Sequence, residues 1–379
     1  MSKLQELIKE LCPDGVEFRK LGEVCEIKRG VRVVKNDLIN DGKYPVFQNS
    51  LIPLGYYDKN NYPANITFVI SAGAAGEIGY TEEPIWAADD CLTIISPNNI
   101  INKFIYYCLI ANKLFFVSKV RRASVPRLSR TVVDNFEIPI PPLEIQSEIV
   151  RILDTFTAHT AELQAELQAR KEQYEYYRNK LLTFDENDER VKWIKLGEIG
   201  NTCMCKRIMK HQTSDIGEVP FFKIGTFGKE ADAFISYELY DEYKNKYSFP
   251  RKGEILISAS GTIGRTVIYD GQDAYFQDSN IIWIQNDESK VLNKYLYYYY
   301  QIIEWNVEGG TIKRLYNTNL SKTIIAYPPL SEQKRIISIL DKFESLVNDL
   351  SEGLPAEIAA VQEQYEYYRN KLLTFKRKS

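Results

Sequence analysis

Thirteen consecutive residues occur twice in this chain: Glu172-Gln-Tyr-Glu-Tyr-Tyr-Arg-Asn-Lys-Leu-Leu-Thr-Phe184 returns unchanged as Glu363 to Phe375. A solenoid repeats every 20 to 50 residues and stacks each unit on the next. A single return after 191 positions, in a chain of 379, describes two half-molecules instead.

The match continues upstream in order. Lys20-Leu-Gly-Glu23 answers to Lys195-Leu-Gly-Glu198, Ile70-Ser-Ala72 to Ile257-Ser-Ala259, Arg127-Leu128 to Arg314-Leu315, and Pro141-Pro-Leu143 to Pro328-Pro-Leu330. The offset grows from 175 to 187 and then 191, so the second copy has gained residues in stages. The first 12 fall near Phe227 to Pro250, a stretch that reads as a longer surface loop. The helical ends are nearly identical, whereas the bodies between them have diverged.

With 44% hydrophobic and 12% aromatic residues, the chain has enough apolar material for two cores. Its most apolar run, Ile100 to Val117, is broken by Asn102, Lys103, Asn112 and Lys113, which predicts a core helix rather than a membrane span. No basic stretch followed by an apolar run opens the sequence, so no export leader is expected. The six cysteines at 12, 25, 91, 108, 203 and 205 form no CxxC pair, and neither His159 nor His211 sits in a ligand-like cluster. Free thiols, no metal and a cytoplasmic location follow as expectations.

A net charge of -3 conceals an uneven distribution. Residues 141–190 hold 6 Lys and Arg against 11 Asp and Glu, so this helical segment masks basic surface elsewhere. From Cys91 to Val133 there is no acidic residue, while Lys103, Lys113, Lys119, Arg121, Arg122, Arg127 and Arg130 are present. The second copy keeps Lys313-Arg314 at the matching place and adds Cys205-Lys-Arg-Ile-Met-Lys210. Basic tracts that recur at matching positions suit phosphate contact.

After Pro141-Pro142, residues 149, 153, 156, 160, 163, 167, 170, 174, 177 and 181 follow alternating steps of 4 and 3. Most are apolar or aromatic, with Thr160 and Arg170 the polar members, and the pattern predicts a coiled-coil strand about 50 Å long. The second copy runs Ile336, Leu340, Phe343, Val347, Leu350, Leu354, Ile358, Val361, Tyr365, Tyr368 and Leu372. Two successive 4-steps coincide there with Gly353-Leu354-Pro355, which predicts a broken helix. In the first copy, Ala161-Glu-Leu-Gln164 is followed at once by Ala165-Glu-Leu-Gln168, as an adjustable spacer would be. The two long helices are expected to pack antiparallel with pseudo-two-fold symmetry, and Leu4 to Leu11 adds a short helix.

Each body shows short strand-like runs: Tyr44 to Phe47, Thr67 to Ile70 and Cys91 to Ile95, then Pro220 to Ile224, Ile255 to Ile257 and Asn280 to Ile284. Helices are expected at Lys103 to Leu114 and Lys294 to Ile303. The fold class is therefore α+β, a mixed α/β chain of two tandem bodies. Glycines at 73, 76 and 79, and at 261 and 264, lack the spacing of a dinucleotide fingerprint or a Walker loop, and extended segments follow them; hairpin turns are expected. Pro13-Asp14 with Glu17 lacks the Glu-x-Lys of a nuclease, and no Asn/Asp-Pro-Pro-Tyr/Phe marks a methyltransferase. No catalytic constellation emerges.

Two diverged bodies, each followed by Pro-Pro-Leu, then Ile-Leu-Asp-x-Phe at 152–156 and 339–343, then the repeated tyrosine-rich end, resemble the DNA specificity subunit of type I restriction-modification systems. The resemblance spans essentially the whole chain. It implies target-recognition domains at 1–140 and 191–327, a central spacer helix at 141–190 and a C-terminal conserved helix at 328–379. Each domain would read one half of a bipartite, asymmetric site in double-stranded DNA. The helices would set the gap and dock two copies of a modification subunit, which would carry S-adenosylmethionine; this chain would bind no cofactor. A motor-nuclease subunit is a further partner that the resemblance leaves open. Charge and placement, rather than the family, single out Gln48, Asn49, Lys119, Arg121, Arg122 and Arg127 in the first body. In the second they single out Lys206, Arg207, Lys223, Arg265, Lys313 and Arg314 for DNA. Tyr174, Tyr177, Arg178, Tyr365, Tyr368 and Arg369 are the expected partner-binding residues. A stand-alone DNA-binding regulator and a non-catalytic scaffold are the alternatives.

Overall fold

Antiparallel pairing of Phe18–Lys20 with Glu137–Pro139 closes the first body, and pairing of Lys192–Lys195 with Ile324–Tyr327 closes the second. In the computed structural model, which describes residues 3–310, 313–348 and 353–378, the chain divides into two compact units. One comprises Met1–Ala165 with Glu357–Ser379, the other Glu166–Ala356.

The bodies share one topology. In the first, a four-stranded sheet runs in the spatial order Glu26–Arg29, Cys91–Ile95, Ile66–Ile70, Ile78–Thr81. The second repeats it with Gly200–Cys203, Ile281–Asn286, Ile255–Ser258, Thr266–Ile268. Each body adds a three-stranded sheet whose middle strand, Tyr44–Phe47 or Val219–Phe222, has one antiparallel and one parallel neighbour. The strand-like runs read from the sequence thus lie within or overlap strands of the matching sheets. Ile66–Ile70 and Ile255–Ser258 are buried along their whole length, as apolar, β-branched-rich central strands require. Helices Asn102–Ala111 and Asn293–Tyr299 pack against these sheets, and Lys113–Ser118 forms a separate short helix in the first body.

One expectation is corrected. Residues 227–250 are not a loop: they contain the strand Phe234–Ile235 and the helix Tyr237–Lys246. Ser236 caps that helix by accepting a hydrogen bond from the Leu239 amide. Phe227, Ala233, Ile235 and Tyr240 are buried with Trp283 and Tyr275 in a core of their own. Aromatic residues at 237, 240, 243 and 247 are spaced for one helix face, and that burial offsets the entropy of ordering the insertion.

The central helix is continuous from Leu143 to Leu182, 40 residues or roughly 60 Å. Its counterpart is two helices, Leu330–Asn348 and Leu354–Leu372, with Gly353 just before the second and Pro355 in its first turn. Leu350 of the heptad pattern lies outside the described residues.

Each unit contains the repeated segment contributed by the other copy. In the first unit, Tyr365, Leu372, Leu373 and Phe375 join a core with Ile145, Ile149 and Leu153, and Phe156 stacks on Tyr368 with centroids 5.6 Å apart. In the second, Tyr174 and Leu182 join Ile336 and Leu340, and Tyr177 stacks on Phe343 at 5.5 Å. Contact of early central-helix residues with late C-terminal ones makes the helical pair antiparallel within the first unit, and the same exchange recurs within the second. The short helix Lys3–Leu11 buries Leu4 in the first core. No described helix is long and apolar enough to cross a membrane, and the six cysteines are free.

Candidate nucleic-acid interface

In the first body the backbone draws three sequence-distant segments together. The Asn49 carbonyl accepts from the Ala74 amide, the Pro126 carbonyl from Gly73, and the Ser71 carbonyl from Leu128. Arg121 and Arg127 exchange two backbone hydrogen bonds, so residues 121–127 form a closed basic loop beside the glycine turn. Gly73 has φ of +82°, and a Cβ there would meet the Asn49 carbonyl at 2.7 Å. The turn is therefore restricted to glycine by the closeness of the Gln48-Asn49 segment.

The acid-free tract divides by ion pairing. Lys113 pairs with Glu77 at 2.7 Å, Arg130 with Asp134 at 3.3 Å, and Lys103 with Glu82 and Asp154 at 2.7 and 3.0 Å. Lys119, Arg121, Arg122 and Arg127 are exposed, and no carboxylate among the described residues pairs with them. Lys119 lies over the Phe115 ring. The side-chain amides of Gln48 and Asn49 make no hydrogen bond among the described residues. The first body thus presents four uncompensated cations and two unused amide groups around one turn.

The second body repeats part of this frame with a different lining. Lys223-Ile224 follows its strand as Gln48-Asn49 follows the first, confirming the alignment by an offset of 175. Glu308 and Arg314 replace Arg121 and Arg127 in the same two-bond exchange, and the Leu315 amide donates to the Ala259 carbonyl. Most cations here are engaged. Lys223 pairs with Asp232 at 2.8 Å and Arg207 with Asp278 at 2.8 Å. Half-buried Arg265 donates to the Phe227 carbonyl, and half-buried Arg314 donates to Ser279 and Asn280. Those two arginines brace turns. Lys206 lies over Tyr247, which Lys246 also approaches, and Lys313 is exposed.

Of the residues expected to meet a protein partner, Tyr174 is only 7% exposed, and both it and Arg178 donate to Gln301 of their own unit. Tyr174 is a seam residue, packed within its own unit. Arg178 and Arg369 lie over the Tyr174 and Tyr365 rings at 5.4 and 5.3 Å. Tyr177 and Tyr368 keep an exposed edge beside the stacked phenylalanines. The outward tyrosines are Tyr176 and Tyr367, 60% and 58% exposed, each beneath a lysine four residues on. Alternation along the helix was the available signal for that outward pair.

Each body is also joined to the helix that follows it by two polar ties that sequence reasoning missed. Gln146, fully buried, accepts from the Ile101 amide and donates to the Asn99 and Pro141 carbonyls. Gln333 repeats this with the Leu292 amide and the Lys290 and Pro328 carbonyls. Further along, Asp154 accepts from Tyr107 and pairs with Lys103, while Asp341 accepts from Tyr298 and pairs with Lys294 at 3.2 Å. These are the aspartates of Ile-Leu-Asp-x-Phe. Burial, and then donation to the aspartate, pushes the Tyr107 and Tyr298 hydroxyls well above the ordinary range. Burial opposes the Lys103 charge, but the Glu82 and Asp154 carboxylates outweigh it and hold its pKa up.

Among the described residues, no group of three or more His, Cys, Asp or Glu side chains could hold a metal ion. Residues 13–173 and 188–360 each match the type I restriction modification DNA specificity domain. The chain is 48% identical over 375 residues to a putative type I restriction enzyme specificity subunit of Haemophilus influenzae, covering 95% of this chain and 96% of that protein. It is 30% identical over 409 residues to the EcoR124I/EcoR124II specificity subunit of Escherichia coli, with 99% and 98% covered. The solved S subunit from M. genitalium shares the fold, with a TM-score of 0.62 at 17% identity over 95% of this chain and 96% of that one. By its two matched domains and these full-length relatives, the chain belongs to the type I restriction-modification DNA specificity family, as a non-catalytic specificity subunit.

Proposed function

We propose that each body reads one half of a bipartite DNA site and that the helices set the gap between halves. The observation that carries this is one backbone frame lined by different residues: Gln48-Asn49 in one body and Lys223-Ile224 in the other. Amides without an internal partner can bind base edges bidentately, whereas a lysine paired with Asp232 and an isoleucine offer another chemistry. Unlike linings on one frame suit unlike half-sites. Lys119, Arg121, Arg122 and Arg127, with Lys206 and Lys313, supply phosphate contacts, while Arg207, Lys223, Arg265 and Arg314 shape the surface that presents them.

The repeated helical ends offer the same outward face in each unit, which suits two copies of one modification subunit. In this reading S-adenosylmethionine binds to those partners, and the complex works in the cytoplasm. The test is a DNA-binding assay with and without co-expressed modification subunits, together with mapping of the methylated motif. Exchanging residues 1–140 for the same region of a relative should change one half of the motif and leave the other intact. A change in both halves, or in neither, refutes the division of labour.

A further inference from the structure

We infer that Asp154 and Asp341, with their tyrosine partners, are positioning residues that fix the angle of each recognition domain on its helix and so enforce the gap length. The inference rests on the bipartite reading above. Its basis is a repeated two-point attachment. In the first unit Gln146 ties the start of the central helix to the loop at Asn99 and Ile101, and Asp154 ties it to Lys103 and Tyr107 of the following helix. In the second unit Gln333 and Asp341 do the same with Lys290, Leu292, Lys294 and Tyr298. Both intervals, 146 to 154 and 333 to 341, are eight residues, or about 12 Å along the axis. The apolar contact of Ile145, Ile149 and Leu153, and of Ile336 and Leu340, already holds each body on its helix; two polar attachments separated along the rod narrow the angle that this contact allows.

The glutamine tie is deep and fully satisfied, so it behaves as a fixed anchor. The aspartate tie is the outer one, where a small displacement swings the body most. The two joints also differ. Thr157 of the first helix corresponds to Glu344 of the second, and Glu344 accepts from Tyr297 at 2.6 Å, shares the Tyr298 hydroxyl with Asp341 at 2.9 Å and contacts Lys294 at 3.3 Å. Two carboxylates hold the second domain where one holds the first. The first joint instead shares Lys103 with Glu82 of its own body.

A gap changed by one base pair moves the second half-site by about 3.4 Å and about 34° around the duplex. A rigid joint cannot follow that; a pivot can. The experiment uses the complex with modification subunits and compares binding to the cognate site with sites whose gap is one base pair longer or shorter. Asp154→Asn and Tyr107→Phe are expected to lower the cognate-to-altered affinity ratio about threefold or more, leaving discrimination within each half-site unchanged. Asp341→Asn is expected to do less than Asp341→Asn with Glu344→Gln. If Asp154→Asn compromises folding, Tyr107→Phe and Tyr298→Phe, which each remove one hydroxyl, carry the test. Folded variants with an unaltered ratio overturn the inference. A wild-type complex with no preference among gaps would instead overturn the bipartite reading.

Discussion

Replacing Arg121 and Arg122 with alanine tests the proposed DNA-facing surface most sharply, because the structure says how many charges are at stake. Both are exposed, and no carboxylate among the described residues neutralises either, so each is free to displace a condensed counterion from DNA. Each phosphate contact contributes about 0.9 to the slope of log affinity against log salt, so the double variant should lose about 1.8. Between 50 and 200 mM salt, that slope change alters the wild-type-to-variant affinity ratio about 12-fold, with the deficit largest at low salt. Arg130 is the internal control. It lies in the same acid-free tract but pairs with Asp134 at 3.3 Å, so Arg130→Ala should change the slope by well under one. Fluorescence anisotropy of labelled duplex with the assembled complex, titrated at four salt concentrations, reads all three proteins. An unchanged slope in the double variant, or an equal loss in Arg130→Ala, would remove this loop from the interface.

Gln146→Leu should lower stability by about 2 kcal/mol in chemical denaturation, since it leaves the buried Pro141 carbonyl and the half-buried Ile101 amide and Asn99 carbonyl without their protein partner. A loss below about 1 kcal/mol would show that water replaces the tie. Glu148 is buried against exposed Arg151 and Lys3; the Arg151 guanidinium, opposed by burial and helped by Lys3, holds its carboxyl down to about 2 from 4.5. A depressed carboxylate stabilises the fold above pH 4.5 and loses that contribution as pH falls toward 2. Wild type should therefore lose more stability than Glu148→Gln between pH 5 and 3, by about 1 kcal/mol or less because the partners are solvated; parallel curves would exclude the effect. Titration calorimetry should find two equivalent sites for the modification subunit, and Tyr176→Ala with Tyr367→Ala should weaken both. A single site, or normal binding by that double variant, would move docking away from the repeated ends. Deleting one Ala-Glu-Leu-Gln unit removes about 6 Å of helix and should shorten the methylated motif's gap by about one to two base pairs. An unaltered gap contradicts the spacer role.

Much of the fold was legible because the chain carries its own comparison. Matching runs at Tyr44 to Phe47 and Pro220 to Ile224 fall on the strands Tyr44–Phe47 and Val219–Phe222, and heptad steps from 149 to 181 lie within the helix Leu143–Leu182. Residues 227–250 were misread because they have no counterpart in the first copy. The aromatic spacing at 237, 240, 243 and 247 is the sequence signal of the helix there. The site was legible in composition and not in detail. A tract without acids looks uniformly basic, yet Glu77 and Glu82 reach Lys113 and Lys103 from outside it. In the second body Asp232 and Asp278 likewise neutralise Lys223 and Arg207. Such pairs join residues 9 to 71 positions apart, beyond the reach of local patterns.

Why the helical ends stay identical while the bodies drift follows from where each end packs. Residues 363–375 complete the unit of the first body, and residues 172–184 complete the unit of the second. Tyr365 and Tyr368 meet Phe156; Tyr174 and Tyr177 meet the Phe343 side. Each segment must therefore fit a seam built by the other copy, and a change in one seam is not matched by its own neighbour in sequence. Aromatic pairs of this kind contribute about 0.5–1.5 kcal/mol each beyond their burial, enough to resist drift at the inward positions. That argument stops at the surface. Tyr176 and Tyr367 point outward and are equally exposed, so seam packing does not account for their identity. The proposed docking of one modification subunit on the same outward face of each unit would account for it.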